Sequence, residues 1–189
     1  MTVPRTENMK YTENIILKNG RECLIRNAVE DDAQEVLDVF LLTHAQTDFL
    51  ISYSDESTLD TEYEKKFLTD AENSERDVYL CAVLDGHIVG TACVFKKGES
   101  KYAHRADLGI AIDRAFWGLG IGRKLTEACI QCAKTAGYAQ LELEVVNENE
   151  TARALYKKMG FTEYGRNPRG LRSRYTGWQE LIYMLLELD

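Results

Sequence analysis

Hydrophobic and polar residues alternate along several short segments of the chain, and this period of two residues is typical of a β-strand with one buried face. The clearest segment is DLGIAID at 107–113, in which Leu108, Ile110 and Ile112 share one face. A longer stretch at 77–97 predicts a hairpin, because the Asp-Gly pair in its middle favours a two-residue turn. Four further strands are predicted at 22–28, 139–146, 161–165 and 180–188.

Other segments repeat their apolar residues every three or four positions, which is the pattern of an amphipathic helix. Helices are predicted at 29–48, 60–74, 121–136 and 149–160. Residues 166–179 show neither pattern and are predicted to form a long loop. The resulting order, β-α-α-β-β-β-α-β-α-β-β, predicts an α/β fold with a mixed sheet of about six to seven strands and helices on both faces.

Length and composition favour one ordinary globular domain. The chain has 189 residues, of which 44% are apolar and 29% are charged. Residues 1–14 are polar and lack a period, so a disordered tail is predicted there, followed by a single domain at 15–189. The chain has no apolar run of about 18 residues and no signal-peptide core near its start, so we expect a cytoplasmic protein that does not bind membranes.

The formal net charge of −8 changes which partners are expected. An acidic surface repels nucleic acid and anionic membranes, so neither is an expected partner. The same field attracts a cationic substrate, whereas a bound polyanion would depend on local groups. The sequence is compatible with a homodimer.

The cysteines are five scattered residues, which is typical of reduced thiols in a cytosol. Cys129 and Cys132 form a C-x-x-C pair, but they lie inside a predicted helix and Cys132 falls on its apolar stripe. This favours core packing over redox chemistry. A second C-x-x-C and paired histidines are missing from the sequence, so no metal site is predicted.

Between the strand at 107–113 and the helix at 121–136 lies the segment GLGIGRKLT, in which Gly118, Gly120 and Gly122 alternate with apolar residues. A helix that begins at such a turn has free backbone N–H groups, and together with the helix dipole they form an anion site. A dinucleotide fingerprint would need glycine where Arg123 stands, although Glu142 could supply its later acidic residue. A nucleotide P-loop has a different spacing. A glycine-rich turn that binds no ligand is a further alternative.

A second motif accompanies the turn, in LELEVVNENETARALYKKMGF at 141–161. Its spacing is Asn, three residues to Ala, four to Tyr, and then Gly-Phe; the members are Asn149, Ala152, Tyr156, Gly160 and Phe161. Turn and motif together resemble the cofactor site of the Gcn5-related N-acetyltransferases (GNAT), which use acetyl-coenzyme A (acetyl-CoA). In the family pattern a Gln or Arg opens the turn, where this chain has Trp117. The resemblance extends over about 22–188 and implies the GNAT fold, with a mostly antiparallel sheet. The ending of the chain resembles the small-molecule or amino-acid acetyltransferases.

The resemblance also implies which residues contact acetyl-CoA. The end of one strand would pair with the pantetheine arm, the glycine turn would hold the pyrophosphate, Asn149 would contact the cofactor, and Tyr156 would lie near the thioester sulfur. The implied cofactor-binding residues are Ile110, Ala111, Ile112, Gly118, Leu119, Gly120, Ile121, Gly122, Arg123, Asn149 and Tyr156.

Acetyl transfer to an amine requires a base for the amine and benefits from an acid for the leaving thiolate. The predicted acid is Tyr156, against the alternative of a tyrosine that only packs in its helix. In the strand at 139–146, Glu142 and Glu144 lie opposite the apolar face, on a side expected to border a cleft or water. Protein N-terminal acetyltransferases of this fold carry a glutamate twelve residues before the tyrosine, and Glu144 has that separation. It is the predicted base, with a water and a merely exposed glutamate as alternatives.

The acceptor is harder to predict. Four arginines in the predicted loop could bind a carboxylate of an amino-acid-like acceptor, meet a partner subunit or simply be solvated: Arg166, Arg169, Arg172 and Arg174. Tyr53 and Asp55 are predicted on the acceptor side. We therefore expect an N-acetyltransferase that moves an acetyl group to a primary amine of a small molecule, such as an amino acid or a polyamine, by direct attack. The alternatives are a protein N-terminal or lysine acetyltransferase and a non-catalytic acyl-CoA sensor.

Overall fold

The computed structural model describes residues 9–98 and 100–188. Its strands are β1 Thr12–Ile16, β2 Glu22–Asn27, β3 Val78–Leu84, β4 His87–Lys96, β5 Arg105–Ile112, β6 Gln140–Val146, β7 Thr162–Ser173 and β8 Gly177–Glu187. Its helices are α1 Ala33–Gln46, α2 Thr61–Asn73, α3 Ile121–Thr135 and α4 Glu150–Lys158. Each predicted helix is present, and its bounds agree with the prediction to within four residues.

The strands form a single mixed sheet in the order β1-β2-β3-β4-β5-β6-β8-β7. Only β5 and β6 run parallel among the described strand pairs, and every other neighbouring pair is antiparallel. The predicted α/β class with a mixed, mostly antiparallel sheet is therefore confirmed, with eight described strands instead of six to seven.

Helices cover both faces of the sheet because successive strand residues point to opposite sides. On β3, Leu80 belongs to the large core that α3 completes, whereas Cys81 packs with the core under α1 and α2. Helix α4 lies on the α3 side, where Tyr156 and Met159 pack against the large core. The α1 and α2 helices contact the central strands, and the face of β6 on that side carries Glu144, which is exposed.

The N-terminal strand was not predicted. The expected tail covered residues 1–14, of which 1–8 lie outside the described residues, but β1 begins at Thr12 and pairs with β2. Tyr11 also packs against the large core, and its backbone N–H donates to Asn27 Oδ1 at 2.6 Å. The segment has too few apolar residues to show a period, because only one face of this edge strand is covered.

The predicted long loop at 166–179 was wrong. Most of it belongs to the β7–β8 hairpin, whose register shifts between Glu163 and Gly165 and again between Asn167 and Leu171. Strand β7 is an edge strand that pairs with β8 alone, so charged residues can occupy it at little cost. With two register shifts and four charged residues among its twelve, β7 shows no period of two in the sequence.

Cys129 and Cys132 are buried free thiols in α3, as predicted from the apolar stripe. Of the helices in the described ranges, none is both long enough and apolar enough to cross a membrane.

Candidate active site

Strands β5 and β6 separate after three residue pairs and leave an opening in the middle of the sheet. Pairing between them is confined to Arg105–Asp107 and Gln140–Glu142. Strand β5 nevertheless continues beside β4 as far as Ile112, and β6 continues beside β8 as far as Val146. Each strand therefore has a backbone edge without a strand partner along the opening. An extended molecule can hydrogen-bond to such an edge as an additional strand would.

The glycine turn lies between the end of β5 and the start of α3. Gly118 has φ +78° and Gly120, the N-cap of α3, has φ +101°, a left-handed region that favours glycine. A Cβ on either residue would meet no atom within 4 Å, so both face open space. No side chain caps α3, and its first amides are free to bind an anion.

Two contacts hold this turn against the strand. The Trp117 indole donates its Nε1–H to the Ile112 carbonyl at 2.7 Å, which gives a structural role to the residue that departs from the family pattern. Gly122 lies so close to the strand that a Cβ there would come within 3.2 Å of Ile112 Cδ1. The same Cβ would lie 3.6 Å from Leu155 Cδ2, so α4 also contacts the start of α3.

The two cations after the turn are not free. Arg123 Nε lies 2.8 Å from a Glu127 carboxylate oxygen, and Lys124 Nζ lies 3.1 Å from the other one. Lys124 is also 3.6 Å from Glu13. Because carboxylates neutralise both cations, attraction for an anion at this place comes mainly from the backbone amides.

Tyr156 lies on α4, on the same side of the sheet as the turn. Asn149 begins this helix as its N-cap and accepts the Ala152 N–H at 3.2 Å, so its predicted site position also has a structural role. The Tyr156 ring packs 5.8 Å from the Phe161 ring, measured between centroids. Burial raises the pKa of Tyr156 to about 12, and the nearby Cys129 adds to the shift. The phenol is therefore protonated at neutral pH.

The two glutamates of β6 have different surroundings. Glu144 is exposed, as predicted. Glu142 is only 2% exposed, so the expectation of a cleft or water beside it was wrong. It accepts from Arg105 Nη2 at 2.7 Å and Lys97 Nζ at 2.9 Å, and the Arg105 Nε–H also donates to it. This cluster joins β5 to β6 where their pairing ends. The described ranges contain no group of side chains that could hold a metal ion.

Two cavities lie on the α1–α2 side of the sheet. The first, here called the aromatic cavity, measures about 360 Å³. It extends from α2 across β3 and β4 to β5, where it touches the half-buried strand end at the opening. Its lining residues are Phe40, His44, Leu50, Leu59, Tyr63, Glu64, Phe67, Tyr79, Thr91, Ala92, Cys93, Phe95, Gly109, Ile110 and Ala111.

The second, the polar cavity, measures about 530 Å³ and includes the predicted Tyr53 and Asp55 in its wall. Arg174 also lines it, but its guanidinium is paired with Asp55 and Glu56, both at 2.7 Å, and lies 4.1 Å from the centroid of the Tyr53 ring. Asp48 accepts the Ser173 hydroxyl at 2.6 Å. These contacts join the segment after α1 to the β7–β8 hairpin. The two carboxylates neutralise the charge of Arg174.

The other predicted arginines lie away from both cavities. Arg166 pairs with Glu163 and with Glu180. Arg169 and Arg172 lie 5.4 and 5.3 Å from the centroid of the Trp178 ring. None of these three arginines lines the aromatic cavity or the polar cavity, so a small acceptor bound in either cavity would not contact them.

Sequence reasoning missed His44 and Glu64, which both line the aromatic cavity. His44 Nδ1 lies 2.7 Å from the Phe40 carbonyl, which can only accept, so Nδ1 carries the proton and Nε2 keeps its lone pair. Burial lowers the pKa of this imidazole, which is neutral at pH 7. Glu64 is buried on the same stripe of α2 as Leu68 and Ala71. A carboxylate on an apolar stripe was a sequence signal that could have identified it.

Comparison with known proteins agrees with this geometry. Residues 40–161 match the model of the acetyltransferase (GNAT) family. A GNAT-family acetyltransferase from Streptococcus pneumoniae has a similar structure, with a TM-score of 0.84 and 30% identity over 87% of this chain and 99% of that chain. A putative acetyltransferase, yncA from Salmonella typhimurium, was solved with its cofactor acetyl-CoA; it has a TM-score of 0.79 and 20% identity over 88% of this chain and 94% of that chain.

Curated relatives match over different shares of their length. The 5-NmdU N-acetyltransferase of Pseudomonas phage PaMx11 is 28% identical over 78% of this chain and 92% of the phage protein. The N-alpha-acetyltransferase RimI of Mycobacterium tuberculosis is 32% identical over 54% of this chain and 60% of that protein. An uncharacterised Mycobacterium leprae protein, ML0378, is 37% identical over 48% of this chain, which is 24% of its own length.

Proposed function

This chain belongs to the acetyltransferase (GNAT) family and is an acyltransferase that uses acetyl-CoA as co-substrate, and from that premise we propose that it acetylates a primary amine of a small molecule, such as an amino acid or a polyamine. The observation that carries the proposal is the opening between β5 and β6, which has the glycine turn at one end and the aromatic cavity on one side. The two features provide separate places for an anionic donor and a small acceptor.

The residues present fit acetyl-CoA. The free edge of Ile110–Ile112 suits the pantetheine arm, and the segment Gly118–Arg123 offers free amides beside open space to the pyrophosphate. Asn149 and Tyr156 lie on the helix that contacts the start of α3. Acetyl-CoA supplies an acetyl group on a thioester, whose carbonyl carbon an amine attacks directly.

A small acceptor is supported by the size of the aromatic cavity, about 360 Å³, which is within the range of small-molecule sites. A protein N-terminus or lysine remains the second candidate, because the larger polar cavity adjoins at His44 and could hold a peptide. The five cysteines are free thiols, which supports a reducing, cytoplasmic location.

In the proposed reaction the C–N bond forms, the C–S bond breaks, and sulfur leaves with the electron pair. An acceptor that starts as an ammonium loses two protons, of which one ends on the sulfur and the other goes to water. For a lysine-like amine the first loss costs about 4–5 kcal/mol at pH 7. We assign the removal of this first proton to the Glu144 carboxylate, which acts directly or through a water. This exposed group faces the α1–α2 side of the sheet from β6.

Tyr156 is the proposed proton donor on the other side of the sheet. Because burial raises the pKa of Tyr156 to about 12, the phenol is a weaker acid than a thiol of pKa about 8.5. A hydrogen bond to the developing thiolate is therefore favoured over complete transfer before the C–S bond breaks. Cys129 and Cys132 are buried in α3, so they are not available as nucleophiles for a covalent intermediate.

A screen of amines, amino acids, polyamines and peptides for thiol release from acetyl-CoA tests the function. We expect thiol release with small amines. Tyr156→Phe should lower kcat about 100-fold with unchanged acetyl-CoA affinity, because the variant loses the hydroxyl that donates the proton and keeps the packed ring. Peptides as the sole productive acceptors would favour the second candidate. A flat screen with confirmed acetyl-CoA binding would identify a non-catalytic sensor and refute the proposal.

A further inference from the structure

The carboxylate of Glu64 is the charged group of the aromatic cavity that the proposed reaction does not yet use. The residue is only 6% exposed, yet none of the described residues gives its carboxylate a hydrogen bond or an ion pair. The lysines beside it on α2 are committed elsewhere, since Lys65 pairs with Glu62 and Lys66 pairs with Asp70. An ionised carboxylate in this position has lost most of its water without gaining a partner from the described residues, which is unfavourable.

The walls around Glu64 suit an organic cation. The Phe67 ring lies 5.5 Å from Tyr79 and 5.3 Å from Phe95, measured between centroids, and Tyr63 stacks on it at 6.5 Å. Aromatic faces attract ammonium groups, and a carboxylate beside them adds an opposite charge. A bound cation would therefore offset the burial of Glu64.

The other titratable groups of the cavity wall do not compensate Glu64. His44 is neutral because burial lowers its pKa. Burial raises the pKa of both Tyr79 and Cys93, so both are neutral as well. The cavity wall contains no lysine or arginine. An acceptor carboxylate would find no cation there and would be repelled by Glu64.

Position in the cavity separates Glu64 from the reacting end. Helix α2 packs on β3, and Glu64 lies close enough to Tyr79 of that strand to influence its pKa. The cavity then crosses β4 to reach Gly109–Ala111 of β5, beside the opening. Two strand spacings amount to about 10 Å. A nitrogen at the β5 edge is therefore too far away to be the group that Glu64 binds.

We propose that the acceptor is a diamine-like molecule: its reacting amine lies at the β5 edge, an apolar spacer follows the aromatic wall, and Glu64 binds its second, cationic group. This rests on the proposed function and narrows its substrate class, because amino acids are disfavoured and short polyamines are favoured. Glu64 acts here as a binding residue, and the reacting amine loses its protons elsewhere.

Three acceptors with six carbon atoms each isolate the second group: the last carbon carries an ammonium in 1,6-diaminohexane, is a methyl in hexylamine and is a carboxylate in 6-aminohexanoate. For the wild-type protein we expect the diamine to have a kcat/KM at least 10-fold above that of hexylamine, with 6-aminohexanoate lowest. Glu64→Gln should lower kcat/KM for the diamine about 30-fold and change that for hexylamine by less than about threefold.

The matched control is Glu62→Gln, which makes the same charge change on the same helix but at an exposed residue outside the cavity wall. It should leave the preference for the diamine intact. Equal losses for all three acceptors in Glu64→Gln, or equal use of 6-aminohexanoate and the diamine by the wild-type protein, would overturn the inference.

Calorimetric binding of 1,6-diaminohexane to the wild-type protein and to Glu64→Gln separates this inference from the proposed function. Binding that depends on Glu64 without any thiol release would retain the cation site and refute catalysis. Turnover of amines with no dependence of diamine binding on Glu64 would retain catalysis and refute the cation site. If Glu64-dependent binding of the diamine and thiol release were both absent, the cation site and the proposed catalysis would both be refuted.

Discussion

At the scale of single residues, three glutamates on the α1–α2 side of the sheet show how surroundings decide what a carboxylate can do. Glu142 is buried among cations and joins two strands. Glu144, two residues away, is exposed and is the proposed base. Glu64 is buried with no cation beside it, so its charge is stabilised only by what enters the cavity. Sequence spacing identified Glu144 as a candidate. It did not distinguish the surroundings of Glu144 from those of Glu142, whose cations are Lys97, just after β4, and Arg105 of β5.

The burial of Glu64 predicts a stability change with a defined pH dependence. Burial raises the pKa of this carboxyl above its ordinary value of 4.5, so the folded state favours the protonated form. The associated stability is fully present below the unfolded pKa and is lost as pH rises through the folded pKa. Glu64→Gln should therefore raise the apo-protein Tm at pH 7–8 by about 2–4 °C, the effect of roughly 1 kcal/mol in a domain of this size.

Thermal unfolding of wild-type protein and Glu64→Gln from pH 4.5 to 8 checks this expectation, with Glu62→Gln as control. The difference in Tm between wild type and Glu64→Gln should shrink toward the acid end, where Glu64 becomes protonated in both states. A Tm that falls in Glu64→Gln at pH 8 would mean that the carboxylate stabilises the fold, contrary to its unpaired position.

At the scale of elements, the strand–turn–helix unit of β5, the glycine turn and α3 was the most predictable part. Alternating residues in β5 and the 3.6-residue period in α3 give strong local signals, and the turn between them has to contain glycine because of its positive φ angles. Strand β1 and the part of β7 after residue 165 were missed for the opposite reason, since each belongs to an edge strand whose identity depends on its partner. The two cavities were not predictable, because residues of α1, α2, three strands and two connecting segments meet there only in three dimensions.

The glycine turn can be tested with two substitutions that are matched in strain. Gly120 at the start of α3 and Gly137 after its end both have positive φ, and a Cβ on either would meet no atom within 4 Å. Alanine at each should cost about 1 kcal/mol of folding stability from the left-handed backbone. Only Gly120→Ala would place a methyl group where the pyrophosphate approaches, so only it should weaken acetyl-CoA binding, by about 10-fold or more.

Isothermal titration with acetyl-CoA and thermal unfolding of both variants provide the two measurements. Similar losses of stability with a selective loss of affinity in Gly120→Ala would support the anion site. Equal affinities in the two variants would place the diphosphate elsewhere.

At the scale of the whole molecule, a net charge of −8 acts with opposite sign on the two proposed substrates. The overall field attracts a dicationic acceptor and repels the phosphates of acetyl-CoA, which are held instead by short-range contacts to backbone amides. Salt screens the long-range field, with a Debye length of about 10 Å at 0.1 M, and leaves short contacts less affected. Raising the ionic strength from about 0.02 M to 0.2 M should therefore raise KM for 1,6-diaminohexane several-fold without raising KM for acetyl-CoA. Hexylamine, with half the charge, should show a smaller rise. Initial-rate measurements over this range of ionic strength test the expected changes in KM. A parallel rise of KM for acetyl-CoA and the diamine would show that a basic surface, rather than the start of α3, holds the diphosphate.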